Sequence, residues 1–528
     1  MPARSRPKGD ADPKTETGQA APPPPRKGTA GFLRGVFFVG AGTALAQVIS
    51  ILVTPALSRM FPPEAFGLAQ VFGAFMIPLG TLACLGYHMA ILLPKEDEDA
   101  SRVFALCITL LVAVTAVYAL VIFLAGEAIL RACGAGELME YRWLLPPGLV
   151  IFGIAFPLQF WHIRQTRFKL GSAARVAGKA AAAATALVLG GMGFASGLYL
   201  VLANMASGLV IAFILAGSWA KRDAAFTLHH LSVSRTRQLA GRYKKFPLIN
   251  AWAPLVDRGL TFVPALLMAA IFSPAAAGFY GIATRLLRLP LSLIGTSIAQ
   301  VSQQRLSSAV AHGQDISELV ESTCRRLAMV ALMPMAVIAL AGPELFELVL
   351  GAPWRTAGVY AALVTMQLFF RFLTTPMASV FIALERQGTQ MALSLLLLAG
   401  IIAGLAIGGH VTGSPLQAVV YSSAAGAAMY ILRGVIILRL ARARVRVLAS
   451  QILLQILIAV PGLAAIALAK WVLKAGSLSV TGVAVLAVLL YFAASLRQDR
   501  ELRRKLFGLL PRRVRRRPGE SPDEADRS

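Results

Sequence analysis

Charge is scarce in this chain: Asp, Glu, Lys and Arg make up 14% of its 528 residues, where a soluble domain carries about a quarter. A large soluble fold is thereby excluded. Acidic residues are scarcer still, 25 against 51 Lys and Arg, which leaves a net charge of +26. The four cysteines, Cys84, Cys107, Cys133 and Cys324, show neither short metal-type spacing nor evident pairs. Neither a disulfide framework nor a zinc site is expected; small apolar core residues are. Of six histidines only His229 and His230 adjoin, and no metal site is expected there. No P-loop is present, so ATP is not expected to drive the protein directly, and no cofactor is implied.

What the chain has in abundance is apolar sequence. It is 57% hydrophobic with a mean hydropathy of +0.68. Apolar runs of about 20 residues, the length that crosses a bilayer, recur along almost its whole length. Fourteen spans are expected: 32–55, 67–93, 102–125, 143–163, 173–195, 198–219, 249–272, 276–303, 325–342, 357–383, 389–409, 416–438, 450–470 and 477–495. Their alternation can be checked by charge. With the N-terminus inside, 39 of the 51 Lys and Arg fall on the inside, 6 in the outside loops and 6 within spans. A missed or extra span would spoil this bias downstream, so the positive-inside rule supports both the count and cytoplasmic termini. The same distribution argues against nucleic acid as the partner of all this positive charge.

Residues 1–30 are rich in Pro, Ala, Lys and Arg and read as a disordered cytoplasmic tail. The following apolar run is too long for a cleaved signal peptide and reads as the first span. The longest inside loop, 220–248, carries Lys221, Arg222, Arg235, Arg237, Arg242, Lys244 and Lys245 among Leu228, Leu231, Leu239, Tyr243 and Phe246. It reads either as an amphipathic segment on the anionic inner leaflet or as topology-setting charge. The tail 496–528 is basic, with an acidic end.

An internal repeat organises the spans. Phe61-Pro62-Pro63-Glu64-Ala65-Phe66-Gly67-Leu68 joins spans one and two, and Phe272-Ser273-Pro274-Ala275-Ala276-Ala277-Gly278-Phe279 joins spans seven and eight. Phe, Pro and Gly recur at one offset of 211 residues, each in a tight turn pre-set by Pro. The expected fold is an all-α integral membrane protein of about fourteen transmembrane helices, arranged as two parallel six-helix lobes plus two extra C-terminal helices. The divisions are 31–219, the linker 220–248, 249–440 and 441–495. In such repeats the substrate path runs between the halves.

Several charges lie within the spans. An ionised side chain at the centre of a span costs about 2.5–3.5 kcal/mol and usually faces a wet cavity or a partner. Arg285 and Arg288 share one helical face, about 14–18 Å from the outer end of span eight at 1.5 Å per residue. Arg371 lies near the middle of span ten, and Arg258 about 13 Å into span seven. Lys179 is shallower in span five, with Arg175 at its mouth, and Arg433 is near enough to the surface to snorkel. Asp257 is the one clear intramembrane carboxylate; Arg285 or Arg371 is its expected partner. One carboxylate cannot neutralise this set. Each arginine is satisfied by backbone carbonyls, or together they line a cationic water-filled cavity whose natural ligand is an anion, phosphate above all. Gln47, Asn204, Asn250, Gln300 and Gln367 are further polar groups at depth, for a hydroxyl-rich ligand or for helix packing. Pro78, Pro157, Pro254, Pro264, Pro290, Pro334 and Pro376 are candidate kinks. The Gly- and Ala-rich fifth span suits close packing or sliding.

The segments SRMFPPEAFGLAQVF, YHMAILLPKEDEDA, GRYKKFP, IFSPAAAGFYGIATRLLRLPLSLIGTSIAQVSQQR and VLGAPWRTAGVYAALV resemble the Wzx-type polysaccharide-biosynthesis flippases. These belong to the multidrug/oligosaccharidyl-lipid/polysaccharide (MOP) exporter superfamily. The resemblance covers roughly residues 31–440. It implies a non-enzymatic transporter of the bacterial inner membrane that works by alternating access. Its substrate would be an undecaprenyl-pyrophosphate-linked oligosaccharide, moved from the inner to the outer leaflet. It further implies membrane lipids as partners, with a polysaccharide polymerase or glycosyltransferases alongside. Lipid II transport is the nearest alternative, followed by a drug antiporter, for which several intramembrane carboxylates would be expected. An enzyme is disfavoured by short outside loops without a paired carboxylate/His site. Substrate contacts are expected at Arg258, Arg285, Arg288, Arg371, Lys179 and Asp257.

Overall fold

The computed structural model describes residues 29–498 apart from 133, 134 and 313; side chains are described from residue 40, except at 249–250, 253, 289–301 and a few single positions. Most of both tails, Cys133, and the side chains of Asn250, Pro290 and Gln300 lie outside the described residues.

Fourteen long helices run in order among the described residues. They are α1 (Thr29–Met60), α2 (Pro63–Leu82), α3 (Asp97–Ala132), α4 (Leu145–Arg164), α5 (Phe168–Gly191), α6 (Gly197–Arg222), α7 (Trp252–Ile271), α8 (Pro274–Ala311), α9 (Ser317–Leu350), α10 (Arg355–Thr374), α11 (Gln387–Thr412), α12 (Pro415–Leu440), α13 (Val445–Ala467) and α14 (Ser477–Gln498). Thirteen of them, all but α8, are long and apolar enough to cross a membrane by these described residues. The chain is a multi-pass membrane protein.

The repeat seen in the sequence recurs in packing. In the first lobe the close pairs include α1–α5, α5–α6, α4–α6, α2–α4 and α3–α4; in the second they include α7–α11, α11–α12, α10–α12, α8–α10 and α9–α10. Each pair of the second set is a pair of the first advanced by six helices. The last two helices stand apart from this plan and lie on α9. There Ala459, Ile466, Val480, Ala484 and Tyr491 close over Leu332, Met333, Val337 and Ala341. Lys470 rivets them in place, donating to the Glu344 carboxylate at 3.1 Å and to the Leu340 carbonyl at 2.6 Å.

The two lobes cross where α2 and α8 begin. Pro63 and Pro274 each occupy the first turn of their helix, where a missing N–H costs nothing. One turn on stand Gly67 and Gly278. A Cβ at Gly67 would fall onto the Pro274 carbonyl oxygen, and one at Gly278 onto the Pro63 carbonyl oxygen. The two contacts are reciprocal, each half supplying the same glycine and the same carbonyl. Trp354 is fully buried beside this crossing. Phe66 of the first lobe meets it edge-on at 5.0 Å and Phe279 of the second at 5.9 Å, and its indole N–H donates to the Ser58 carbonyl at 2.8 Å. The Ser58 hydroxyl in turn donates to the Leu350 carbonyl at 2.9 Å.

Three details depart from the sequence expectation. Span two ends at Leu82 rather than 93, because Leu85 (φ 47°) and Gly86 (φ 78°) turn the chain left-handed. A short helix, Tyr87–Ala90, follows. Span ten reaches its expected end at Ala383 but not as one α-helix: the ladder stops at Thr374, ahead of Pro376, and a tight turn and a short helix complete it. The non-helical break in α9 is at Ala341, two residues before Pro343, a proline not among those expected to kink a span. The fifth span is packed tightly: a Cβ at Gly178 would stand 2.8 Å from the Ser207 carbonyl of α6, and one at Gly190 2.7 Å from the Phe61 ring.

Candidate functional site: a cationic cavity between the lobes

Below the α2–α8 crossing lies a cavity of about 620 Å³. Its wall is built from periodic positions on five main helices. From α1 come Thr43, Gln47, Ser50 and Thr54, a polar stripe at helical spacing in an otherwise apolar span. The second lobe contributes α8, with Gly278, Gly281, Arg285 and Arg288 on one face. Facing it is α5, with Arg175 and Lys179 one turn apart. Gln70 of α2 and Asn204 and Ser207 of α6 complete the polar lining. Thr261 and Phe262 of α7 reach its edge.

Symmetry between the lobes is broken beside this cavity. α2 packs along α7, whereas the equivalent pair, α8 and α1, touches sparingly among the described residues. By those residues the seam beside the cavity is closed on one side and sparser on the other.

The electrostatics are one-sided. Arg285 is exposed to the cavity and lies within electrostatic range of both Lys179 and Arg288. Arg288 turns back on its own helix, donating from Nε to the Thr284 carbonyl at 3.0 Å and from its terminal nitrogen to the Thr284 hydroxyl at 3.3 Å. Arg175 keeps a buried Nε with no hydrogen-bond partner. Among the described residues no carboxylate pairs with Arg175, Lys179, Arg285 or Arg288 within 4 Å. Four cations around one void, away from bulk water, repel one another at low dielectric, and an anion placed among them relieves that repulsion. Hydroxyls on the α1 wall have spent their protons on their own helix, Ser50 on Ala46 at 3.1 Å and Thr54 on Ser50 at 2.5 Å. Their lone pairs face outward as acceptors. Asn204 likewise donates to Leu200 at 3.0 Å.

The six residues singled out from the sequence do not all meet. Lys179, Arg285 and Arg288 line the cavity. Arg371 does not; it sits within the second lobe, in electrostatic range of Arg288, Tyr280 and Arg433. Arg258 points across the seam to the first lobe, its guanidinium 5.8 Å from the Phe156 ring. Asp257 is exposed and forms no ion pair with Arg285 or Arg371; Arg258 and Arg433 are the cations in its range. Adjacent helix positions diverge by about 100°, so depth in a span does not decide which void a side chain enters. Arg433 is buried rather than snorkelling, over Phe381 at 6.0 Å. Arg175, read as a mouth residue, is part of the wall because it is one turn from Lys179. Thr43, Ser50, Thr54 and Gln70 escaped notice in the sequence, although the i, i+4, i+7, i+11 spacing of the α1 stripe was there to be read.

Residues 56–359, more than half of the chain, match the model of the family described as Polysaccharide biosynthesis protein. The chain belongs to this family. No curated protein matches the chain. As a member of the Polysaccharide biosynthesis protein family it shares its fold with solved transporters of the MOP superfamily. The structure of the lipid II flippase MurJ in an inward closed conformation aligns with a TM-score of 0.69 and 13% identity, over 89% of this chain and 99% of that one. An inward-facing multidrug resistance MATE family transporter of the MOP superfamily aligns with a TM-score of 0.60 and 16% identity, over 76% and 96%. At these identities the likeness is one of fold, and the 89% coverage by the MurJ alignment reaches beyond the two six-helix lobes into α13 and α14.

Proposed function

We propose that this family member is a flippase of the bacterial inner membrane. It carries an undecaprenyl-pyrophosphate-linked oligosaccharide from the inner to the outer leaflet, with both termini cytoplasmic. The observation that carries this reading is the unneutralised cluster of Arg175, Lys179, Arg285 and Arg288 around a cavity between two lobes. Arg favours phosphate through its planar fork of donors, and a pyrophosphate esterified at both ends spreads two negative charges over four non-bridging oxygens, an acceptor for each of the four cations. The polar stripe on α1, with Gln70 and Asn204, supplies partners for sugar hydroxyls. The sparse α1–α8 seam lets the prenyl chain remain in lipid while the head group enters. Closure at the Gly67–Gly278 crossing, the outside end in this orientation, corresponds to a cavity loaded from the inside. Rocking of the lobes then exposes it outward. A potential negative inside favours outward movement of an anion by about 2.3 kcal/mol per charge per 100 mV.

The fold likeness to MurJ supports lipid II as the second reading. It uses the same pyrophosphate chemistry and differs in the glycan. One experiment separates the two. In cells depleted of this protein, the lipid-linked species that accumulates in the inner leaflet is identified by mass spectrometry. A polysaccharide repeat unit is expected; lipid II would decide for the alternative. Arg285→Gln and Arg288→Gln, stably expressed, are expected to abolish surface glycan, and normal export from both would sink the assignment of the cluster to the anion.

A further inference from the structure

The linker between the lobes has two faces, and the proposed function uses neither. One is bolted to the first lobe. Asp223 is buried, accepting from the Trp161 indole at 3.1 Å and from both terminal nitrogens of Arg167 at 2.5 and 3.0 Å. Arg235 grips both oxygens of Asp99 at 3.2 and 2.8 Å. Arg102 donates to the His230 carbonyl at 2.9 Å, and the Tyr87 hydroxyl to the Ala240 carbonyl at 3.0 Å. Leu239 and Thr227 fill the seam and are buried.

The exposed side of the linker has no carboxylate partner among the described residues. Within the linker Asp223 is the sole acidic residue, and it is consumed by Arg167. Lys221, Arg222, Arg237, Lys244 and Lys245 are all exposed, and no described carboxylate pairs with them; Arg242, also exposed, shares the helix face of Arg235 and Leu239 and lies over the Tyr243 ring at 5.7 Å. Set among them are bare apolar side chains: Leu228 at 63% exposure, Leu231 at 51% and Val233 at 89%. They begin within two turns of the end of α6, so they stand at the level where a span leaves the bilayer. At the far end of the linker, Leu248 and Trp252 are also exposed, where α7 enters; Trp is favoured at such an interface.

We propose that this face docks on anionic phospholipid headgroups of the cytoplasmic leaflet, with Leu228, Leu231 and Val233 inserted below the phosphates. Five unpaired cations with interleaved apolar anchors match a surface that is negative and oily beneath. A soluble acidic partner would satisfy the charge but not the height of the apolar residues beside the span ends. Because the linker's other face is bolted to the first lobe, the lipid contact holds that lobe at the surface while the second moves. The inference rests on the cytoplasmic placement of the linker in the proposed topology.

The test uses the full chain with its native cysteines replaced and V233C carrying an environment-sensitive fluorophore. It is placed in nanodiscs of phosphatidylcholine alone or mixed with phosphatidylglycerol. The expected result is a blue-shifted emission, quenched several-fold more by shallow spin-labelled lipid in the phosphatidylglycerol discs. The difference should vanish on combined replacement of Arg237, Lys244 and Lys245 by Gln and fall with added salt. Emission that is equally water-like in both lipids would overturn the docking. So would a probe shielded in native membranes yet exposed in every nanodisc, which would point to a protein partner instead. An impermeant thiol reagent is expected to reach S234C, a polar exposed position of the same linker, only from inside-out vesicles; reaction only from right-side-out vesicles would instead refute the topology beneath the inference.

Discussion

Replacing Gly278 with Ala tests the lobe crossing most directly. The added Cβ would fall on the Pro63 carbonyl oxygen, with the carbonyl carbon 3.0 Å away and the Gly67 nitrogen 3.1 Å away. All three are backbone atoms at the start of a helix, so no side chain can swing aside. The helices must part by roughly 1 Å. That forfeits two close Cα–H to carbonyl contacts, about 0.5–1 kcal/mol each, and adds overpacking of about 1–3 kcal/mol. A net loss of about 2–5 kcal/mol for the crossed state shifts its population by roughly 30-fold at the least and about 4,000-fold at the most. Gly67→Ala should do the same by the reciprocal contact. Once one substitution has parted the helices the other has little left to disturb, so the double variant is expected to be no worse than either single one. Gly73→Ala on the same helix serves as a control, since its nearest neighbours are 3.9 Å away. Spin labels at Glu140 and Thr356, both exposed at this end of the molecule, report the separation of the lobes by pulsed electron resonance. A longer or bimodal distance is expected for both glycine variants and not for the control. Unchanged distances with an unchanged melting temperature would refute the close-approach reasoning.

Three further outcomes follow from the packing. Lys179→Glu would give the cavity its own counterion beside Arg285. Thermal stability should rise by about 1 kcal/mol while transport falls by an order of magnitude or more, and a variant that transports normally would contradict anion binding there. Asp223→Asn removes the negative charge and one of the two oxygens that Trp161 and Arg167 share. A loss of about 1–3 kcal/mol is expected in a denaturation series, because the half-buried Arg167 guanidinium loses its counterion. Lys470→Met strips the rivet between the last two helices and Glu344. Arg355 still reaches that carboxylate at 3.3 Å, so a smaller loss of about 1–2 kcal/mol is expected, read as earlier proteolysis between α13 and α14.

Much of the architecture was legible because membrane sequences carry two periodic signals, apolar length and loop charge. Those signals mark α1 through α14 and the repeat that relates Pro63 to Pro274. They do not carry azimuth. Arg258 and Arg371 have the depth of cavity residues, yet one faces Phe156 across the seam and the other sits inside the second lobe. Which of them meets Arg285 depends on how six helices rotate about their axes, and that is decided by packing partners far away in the chain. Lys179 shows the converse. The first half has no arginine at depth in span two, yet its fifth helix brings Arg175 and Lys179 to the void that Arg285 and Arg288 line. The break after Leu82 was hidden for a different reason: Leu85 adopts a left-handed conformation that neither its residue type nor the surrounding apolar run announces.

The crossing of Gly67 and Gly278 can also be described in the language of oligomers. Each half presents one patch, a glycine beside a proline carbonyl, and the patches fit each other with roles exchanged. That is an isologous contact, the kind found on the two-fold axis of a dimer, here closed within one polypeptide. An isologous contact releases as a unit. Gly67 cannot leave Pro274 while Gly278 stays against Pro63, because one pair of rigid helices carries both. The crossing therefore closes or releases as a single unit, which suits the alternating access proposed for this cavity.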